Sequence, residues 1–149
     1  MLALKFLLHF VGDVHQPLHS ADDHDRGGNS KFVVFGRRTT CIPLHSYWDT
    51  NVVQRLGRDY HRVGEALATE FAGQRSTWMA GQPSDWALES FEKARDVAYR
   101  LGPAVPDERS QPCFELTPQY EDAALTTARE QLAKAGMRLA LILNQSLRP

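Results

Sequence analysis

The sequence has few cysteines, no long apolar run and almost no net charge, and each shortage narrows the class of protein. The 149 residues contain only 2 cysteines, so at most one disulfide can form within the chain. No apolar run approaches the roughly 18 residues of a membrane-spanning helix, and the mean hydropathy is −0.41. A net charge of −1 argues against a long basic groove for nucleic acid, although metals could still bind phosphates. We therefore expect no membrane contact.

The two cysteines, Cys41 and Cys113, leave two interpretations open. A bridge between them would close a long loop and would add roughly 4 kcal/mol to stability in the chain-entropy model. Two unrelated thiols are the alternative, because nothing in the spacing requires a bridge.

The hydrophobic pattern predicts one domain, residues 1–149, built mostly from helices. An apolar stripe at Leu4, Leu7, Leu8 and Val11 predicts a buried helix over about residues 2–14. We do not interpret this segment as a signal peptide, because it has neither a basic start nor a small-residue cleavage site. Caps and apolar spacing predict further helices at about residues 45–55, 60–72, 84–101 and 117–145.

Strand-forming residues are confined to one short region. The run Lys31-Phe-Val-Val-Phe35, followed by Gly36, predicts a small hairpin, and residues 103–115 are expected to be a proline-containing connection. Phe91 and Leu132 are expected on the buried faces of the last two helices. The predicted fold class is all-α with a small β-hairpin insert.

His-x-x-x-Asp pairs are the most informative pattern in the chain. His9/Asp13 and His45/Asp49 both fall on predicted helices, where a spacing of four places the two side chains on one face. Random placement of the 6 histidines and 10 aspartates would give roughly 0.4 such pairs. Three occur, and the third, His19/Asp23, has its aspartate in a polar loop.

An imidazole beside a carboxylate is a ready pair of metal ligands. The combination without thiolates suits zinc, with manganese or iron(II) as alternatives. His19, His45 and Asp49 would supply three ligands and leave a fourth position open, which is a catalytic arrangement, whereas His9 and Asp13 supply only two. Any single histidine on an apolar helix face is more often a hydrogen-bonded core residue. The metal interpretation therefore depends on the clustering.

Two neighbouring features have competing interpretations. His15 could orient a metal ligand or simply contact solvent. The sequence Gly27-Gly28-Asn29 could let the backbone approach a ligand, with the amide binding a base or phosphate, or it could be ordinary turn chemistry.

Three blocks of sequence resemble a known family. They are His9-Phe-Val-Gly-Asp-Val-His-Gln-Pro-Leu-His19, Asp25-Arg-Gly-Gly-Asn29 and Leu44-His-Ser-Tyr-Trp-Asp49. They are similar to the core motifs of the zinc-dependent, single-strand-specific S1/P1 nucleases, whose fold is related to bacterial zinc phospholipases C. The resemblance implies a mostly helical phospholipase C/P1 nuclease-like domain with three zinc ions in a cleft.

The resemblance also implies roles for individual residues. His9 would bind one zinc of a close pair, Asp13 would bridge that pair and is the catalytic candidate, and a third zinc would be held by His19, His45 and Asp49. Gly27, Gly28 and Asn29 would lie near a nucleobase pocket. The family cleaves single-stranded DNA and RNA to 5′-phosphate products and often removes 3′-phosphates from nucleotides. Family members are typically secreted or periplasmic, which suits a Cys41–Cys113 bridge.

The match departs from the family pattern at one point. The remaining ligands of the close zinc pair and the base-stacking aromatic residue have no counterpart in these 149 residues. We therefore expect a fragment, a misassigned start or a truncated relative, which acts as a monomer, keeps at most one well-held zinc and has little activity alone. A phospholipase C-like zinc phosphodiesterase and a non-catalytic zinc-binding remnant are the alternative functions.

Overall fold

The computed structural model describes residues 2–105 and 112–147, which form helices around a small sheet. None of the helices in these residues is long and apolar enough to cross a membrane. The α-helices are Leu2–Val14 (α1), Leu44–Ser46 (α2), Val52–Gln54 (α3), Tyr60–Glu70 (α4), Arg75–Trp78 (α5), Pro83–Lys93 (α6) and Pro118–Ser146 (α7). The strands are Phe32–Val34 (β1), Ile42–Pro43 (β2), Ala104–Val105 (β3) and Cys113–Glu115 (β4). The predominantly helical fold class is confirmed.

The sheet is larger than the predicted hairpin. β1 and β2 pair antiparallel and confirm the hairpin, but β1 also pairs in parallel with β4, and β4 pairs with β3. β3 and β4 lie in the segment that was expected to be an irregular connection; its residues 106–111 lie outside the described part of the chain. Strands of two or three residues carry no periodic signal, so their pairing depends on contacts distant in sequence.

A disulfide fastens the two halves of the sheet. Cys41 precedes β2 and Cys113 begins β4, with an S–S distance of 2.03 Å and a Cα–Cα distance of 6.3 Å. Of the two interpretations left open by the sequence, the bridge is the one the structure contains.

The helix that carries His45 and Asp49 contains a wide turn. It begins as α2, passes through a π-helical turn at Tyr47–Asn51 and continues as α3, close to the predicted bounds. Tyr47 and Trp48 are buried on its inner side. The Trp48 indole donates to the Tyr120 hydroxyl at 3.0 Å, and that hydroxyl donates to the carbonyl of Ala98 at 2.8 Å. These bonds hold the helix against α7 with its opposite face available for the site.

The prediction that α1 is buried along its length is wrong. Only Val11 is buried, at 5% exposure, whereas Leu4 and Leu8 are 44% and 46% exposed. Within the described residues, α1 contacts α6 and α7, and at its last turn the carbonyl of Val14 accepts the Ser90 hydroxyl at 2.5 Å. Leu2 and Phe6 of its first turns are likewise exposed.

The predicted N-cap is confirmed for α7 and is wrong for α6. The Thr117 hydroxyl accepts the Tyr120 N–H at 3.2 Å and opens α7 as predicted. α6 starts one residue before Ser84, with Gln82 as the N-cap, and the helix ends in a π-helical turn at Ala94–Ala98. Phe91 and Leu132, expected in the core, are 41% and 39% exposed. The reason is that polar side chains of α6 and α7 occupy the interface with α1.

That polar interface is built on Arg138, which is 1% exposed. Its guanidinium donates to Nε2 of His15, to the carbonyl of Trp78 and to the Glu89 carboxylate, each at 2.8 Å. His15 donates from Nδ1 to the carbonyl of Val11 at 2.7 Å, so its tautomer is fixed and neutral. Burial lowers the pKa of His15 to about 4. The network holds His15, which directly follows α1 and lies two residues beyond Asp13, against α7. His15 therefore neither touches a candidate metal ligand nor faces solvent.

Candidate metal centre

Five predicted ligands form a continuous chain of histidines and carboxylates. At one end, His9 Nε2 lies 3.2 Å from Asp13 Oδ2, one turn away on α1. Nδ1 of His19, in the 3₁₀ turn Pro17–His19, lies 3.6 Å from the same oxygen, and its Nε2 lies 3.5 Å from Asp49 Oδ1. At the other end, His45 Nε2 lies 3.2 Å from Asp49 Oδ2. The structure thus brings both His-x-x-x-Asp pairs together through His19.

Three of the five are arranged closely enough to hold one ion. One ligand atom from each of His19, His45 and Asp49 lies within 4.8 Å of the others. Around a tetrahedral zinc such atoms are about 3.3 Å apart, so small side-chain movements would close the set. Their side chains are 27%, 19% and 43% exposed, which leaves access for a fourth ligand.

Backbone contacts fix the orientation of His45. Its Nδ1 donates to the carbonyl of Gly27 at 2.7 Å, and its own N–H donates to the carbonyl of Gly28 at 3.2 Å. This places the Nε2 lone pair opposite the carboxylate oxygen of Asp49. Two acceptors facing each other at this distance require a proton or a cation between them. The donor set therefore fits a divalent metal that prefers nitrogen and oxygen.

The loop that supplies these carbonyls is held by two aspartates. Asp22 Oδ1 accepts the N–H groups of Asp25 and Gly27 at 3.0 and 3.2 Å, and these bonds lower the pKa of Asp22. The carboxylate of Asp25, 5% exposed, accepts the Gly28 N–H and the Tyr99 hydroxyl, both at 2.9 Å. Burial and this bond raise the pKa of Tyr99. The loop is consequently a rigid support for His45.

The glycines of this loop are required by its geometry. Gly27 and Gly28 have φ angles of 63° and 83°, which side chains rarely adopt. A Cβ on Gly27 would lie 2.7 Å from the carbonyl oxygen of Leu18. Asn29, the third residue of the predicted nucleotide-binding set, is exposed, and its amide donates to the carbonyl of Arg26 at 2.9 Å.

Comparison with known proteins agrees with this site. The family model described as S1/P1 Nuclease matches residues 1–148. The chain belongs to the S1/P1 nuclease family. It is 31% identical to Endonuclease 2 of Arabidopsis thaliana over 96% of this chain and 51% of that protein. It is also 31% identical to Nuclease S1 of Aspergillus oryzae, with 93% and 52% covered, and to Nuclease P1 of Penicillium citrinum, with 96% and 57% covered. The chain spans about half the length of the curated relatives it matches.

S1/P1 nucleases are zinc enzymes in general, and the candidate site of this chain has a donor set that could hold a metal. The His19, His45 and Asp49 group has the ligand types and the count of a catalytic zinc site. Among the described residues no further group of three or more His, Cys, Asp or Glu is close enough to hold an ion. His9 and Asp13 lie at the edge of this group as a pair.

Sequence reasoning missed three supporting residues of this candidate site. Asp25 and Tyr99 hold the loop, although they are 74 positions apart. Gln16 donates to Asp49 across 33 positions. Asp25 and Gln16 lie inside the blocks that carry the family resemblance, which is the one signal that could have selected them. Nothing local to Tyr99 indicates its role.

Proposed function

We propose that this chain, weakly when alone, hydrolyses phosphodiester bonds of single-stranded DNA or RNA to 5′-phosphate products, with 3′-nucleotidase activity on nucleotides, using bound zinc. The observation that carries this proposal is the convergence of His19, His45 and Asp49 within a chain that the S1/P1 nuclease model matches almost entirely. Zinc at this position would activate a water molecule and stabilise charge that develops on the phosphate.

The proposed zinc would be held by His19, His45 and Asp49. The carbonyl of Gly27 would accept the hydrogen bond from Nδ1–H of His45 and so leave Nε2 free to coordinate. If His19 coordinates through Nε2, its Nδ1 faces the Asp13 carboxylate at 3.6 Å. Asp13 would then orient the ring of His19 while also facing His9, so one carboxylate would contact both of these histidines.

His9 and Asp13 are proposed as half of a second centre. Two protein ligands are too few for a tight zinc site, so we propose that these 149 residues hold one zinc well, against three in a full-length family member. Asp13 is the proposed catalytic residue because its carboxylate lies between His9 and His19 and so between the two proposed metal positions.

The proposed substrate contact is the loop of Gly27, Gly28 and Asn29. Its glycines are buried and hold the loop against Leu18 and His45, and the exposed Asn29 can exchange its bond to Arg26 for one to a base. An unpaired nucleotide can splay its base into such a site, whereas a paired one cannot.

The disulfide suits the secreted or periplasmic location that we propose. We propose a monomer.

Metal analysis and hydrolysis of single-stranded DNA test this function together. We expect one zinc per chain and weak cleavage of single-stranded DNA in preference to duplex, both lost in His45→Ala. The control is His61→Ala, because His61 is exposed on α4 and has no contact with the group. Hydrolysis of a phosphatidylcholine analogue instead of DNA would favour the phospholipase C-like function. Zinc binding without hydrolysis of either substrate would identify a non-catalytic remnant and contradict the proposal.

A further inference from the structure

Gln16 connects two of the segments that carry the proposed zinc ligands. It lies between α1 and the 3₁₀ turn Pro17–His19, with extended φ and ψ of −84° and 118°, as favoured before a proline. Its Oε1 accepts the Leu18 N–H at 2.5 Å, and its Nε2 donates to Asp49 Oδ1 at 2.8 Å. The turn that bears His19 is thereby joined to the helix that bears Asp49.

The orientation of this amide is determined by its two partners. The Leu18 N–H is a donor and can meet only the oxygen, whereas the Asp49 carboxylate is an acceptor and can meet only the NH₂ group. A flipped amide would lose both bonds. Since Gln16 is tied at one end to its own turn, the other end is a fixed donor for the carboxylate.

We propose that Gln16 is a positioning residue for the metal site: it holds Asp49 by Oδ1, so that Oδ2 is the oxygen available beside His45 Nε2. This inference rests on the proposed function only in that His19, His45 and Asp49 bind a metal. The distances agree with it, since Oδ1 has the Gln16 donor at 2.8 Å and Oδ2 has His45 at 3.2 Å. Without the amide, the Asp49 side chain, 43% exposed, is free to rotate away.

Gln16 also stabilises its own turn, so the test must separate that role from the one we propose. Gln16→Asn does so, because an asparagine oxygen can still accept the N–H two residues on, as in an Asx-turn. Its side chain is shorter by one methylene, about 1.5 Å, and no longer reaches Asp49. Gln16→Met is the complementary variant, which keeps the length and loses both hydrogen bonds.

The experiment is titration of the metal-free 149-residue chain with Co²⁺, followed by its visible absorption spectrum, and with Zn²⁺ in competition. We expect both variants to bind Co²⁺ roughly 10–100-fold more weakly than wild type, with altered absorption bands, because removing an outer hydrogen bond to a ligand has this effect. Gln74→Met is the matched control, since Gln74 lies on an exposed 3₁₀ turn remote from the site. Circular dichroism of the metal-free Gln16→Asn chain should match wild type.

A double-mutant cycle shows whether the effect passes through Asp49. In an Asp49→Ala background, Gln16→Asn should leave the residual Co²⁺ affinity unchanged, because its target carboxylate is gone. Wild-type affinity and spectrum in Gln16→Asn would overturn this inference and leave the proposed function intact. If the wild-type chain itself binds neither Co²⁺ nor Zn²⁺, the proposed function fails, and this inference fails with it.

Discussion

Replacing Gly27 by alanine should damage the metal site as well as the stability of the loop. Gly27 has a φ of 63°, and a Cβ there would lie 2.7 Å from the carbonyl oxygen of Leu18, so the backbone must shift. The carbonyl of Gly27 is the acceptor that orients His45, at 2.7 Å from Nδ1. The same displacement therefore acts on folding and on metal binding.

The matched control is Gly36→Ala. Gly36 has nearly the same φ, 60°, but a Cβ there meets nothing within 4 Å. The left-handed backbone costs an alanine about 1–2 kcal/mol at both positions, and the reduced entropy of the unfolded chain offsets about 0.4–1 kcal/mol of it. Overpacking adds about 1–3 kcal/mol at Gly27 alone. We therefore expect about 1 kcal/mol of destabilisation for Gly36→Ala and about 2–4 kcal/mol for Gly27→Ala.

The two variants should also differ in metal affinity. Gly27→Ala is expected to bind Co²⁺ about 10–100-fold more weakly than wild type, because His45 loses its fixed orientation. Gly36→Ala should bind like wild type. Urea unfolding of the metal-free chains gives the stabilities, and Co²⁺ titration gives the affinities. Equal stability and equal affinity in the two variants would refute the argument that Gly27 is needed for close packing beside His45.

Three further predictions concern the scaffold. Arg138→Met should lower the unfolding free energy by about 1–3 kcal/mol in urea titrations, because His15 Nε2 loses its buried donor, whereas the Glu89 carboxylate, 37% exposed, keeps Lys134 as a partner; a loss below 1 kcal/mol would show that the network is dispensable. The pKa of His15 is lowered from 6.5 to about 4, so the folded state disfavours its protonation. The stability that neutral His15 contributes is complete above pH 6.5 and is lost as pH falls through about 4. The total loss of unfolding free energy is at most about 3 kcal/mol. His15→Gln should accordingly show a shallower fall in stability between pH 7 and pH 4, and identical pH curves would contradict this. Reduction of the Cys41–Cys113 bridge, which joins residues 72 apart, should cost about 4 kcal/mol by loop entropy, measured by denaturation with and without reductant; an unchanged midpoint would refute it.

The helices near the site could be predicted because their signals are local. Thr117 and Pro118 begin α7 as the capping rules require, and the spacing of His45 and Asp49 on one face needs only helical geometry. The burial of α1 could not be predicted in the same way. Its apolar stripe is real, but burial depends on which elements lie opposite, and among the described residues of that stripe only Val11 is buried.

The sequence by itself determined the ligand types, their pairing at four-residue spacing and the family to which the motifs belong. The tertiary structure decided that His19 stands between the two pairs, that the Gly27 carbonyl orients His45, that Gln16 reaches Asp49 and that four short strands form one sheet. The physical reason is the range of the interactions. Helical spacing and capping act within one or two turns, whereas most of these contacts join residues 18 to more than 70 positions apart, and only the packed chain brings such residues together.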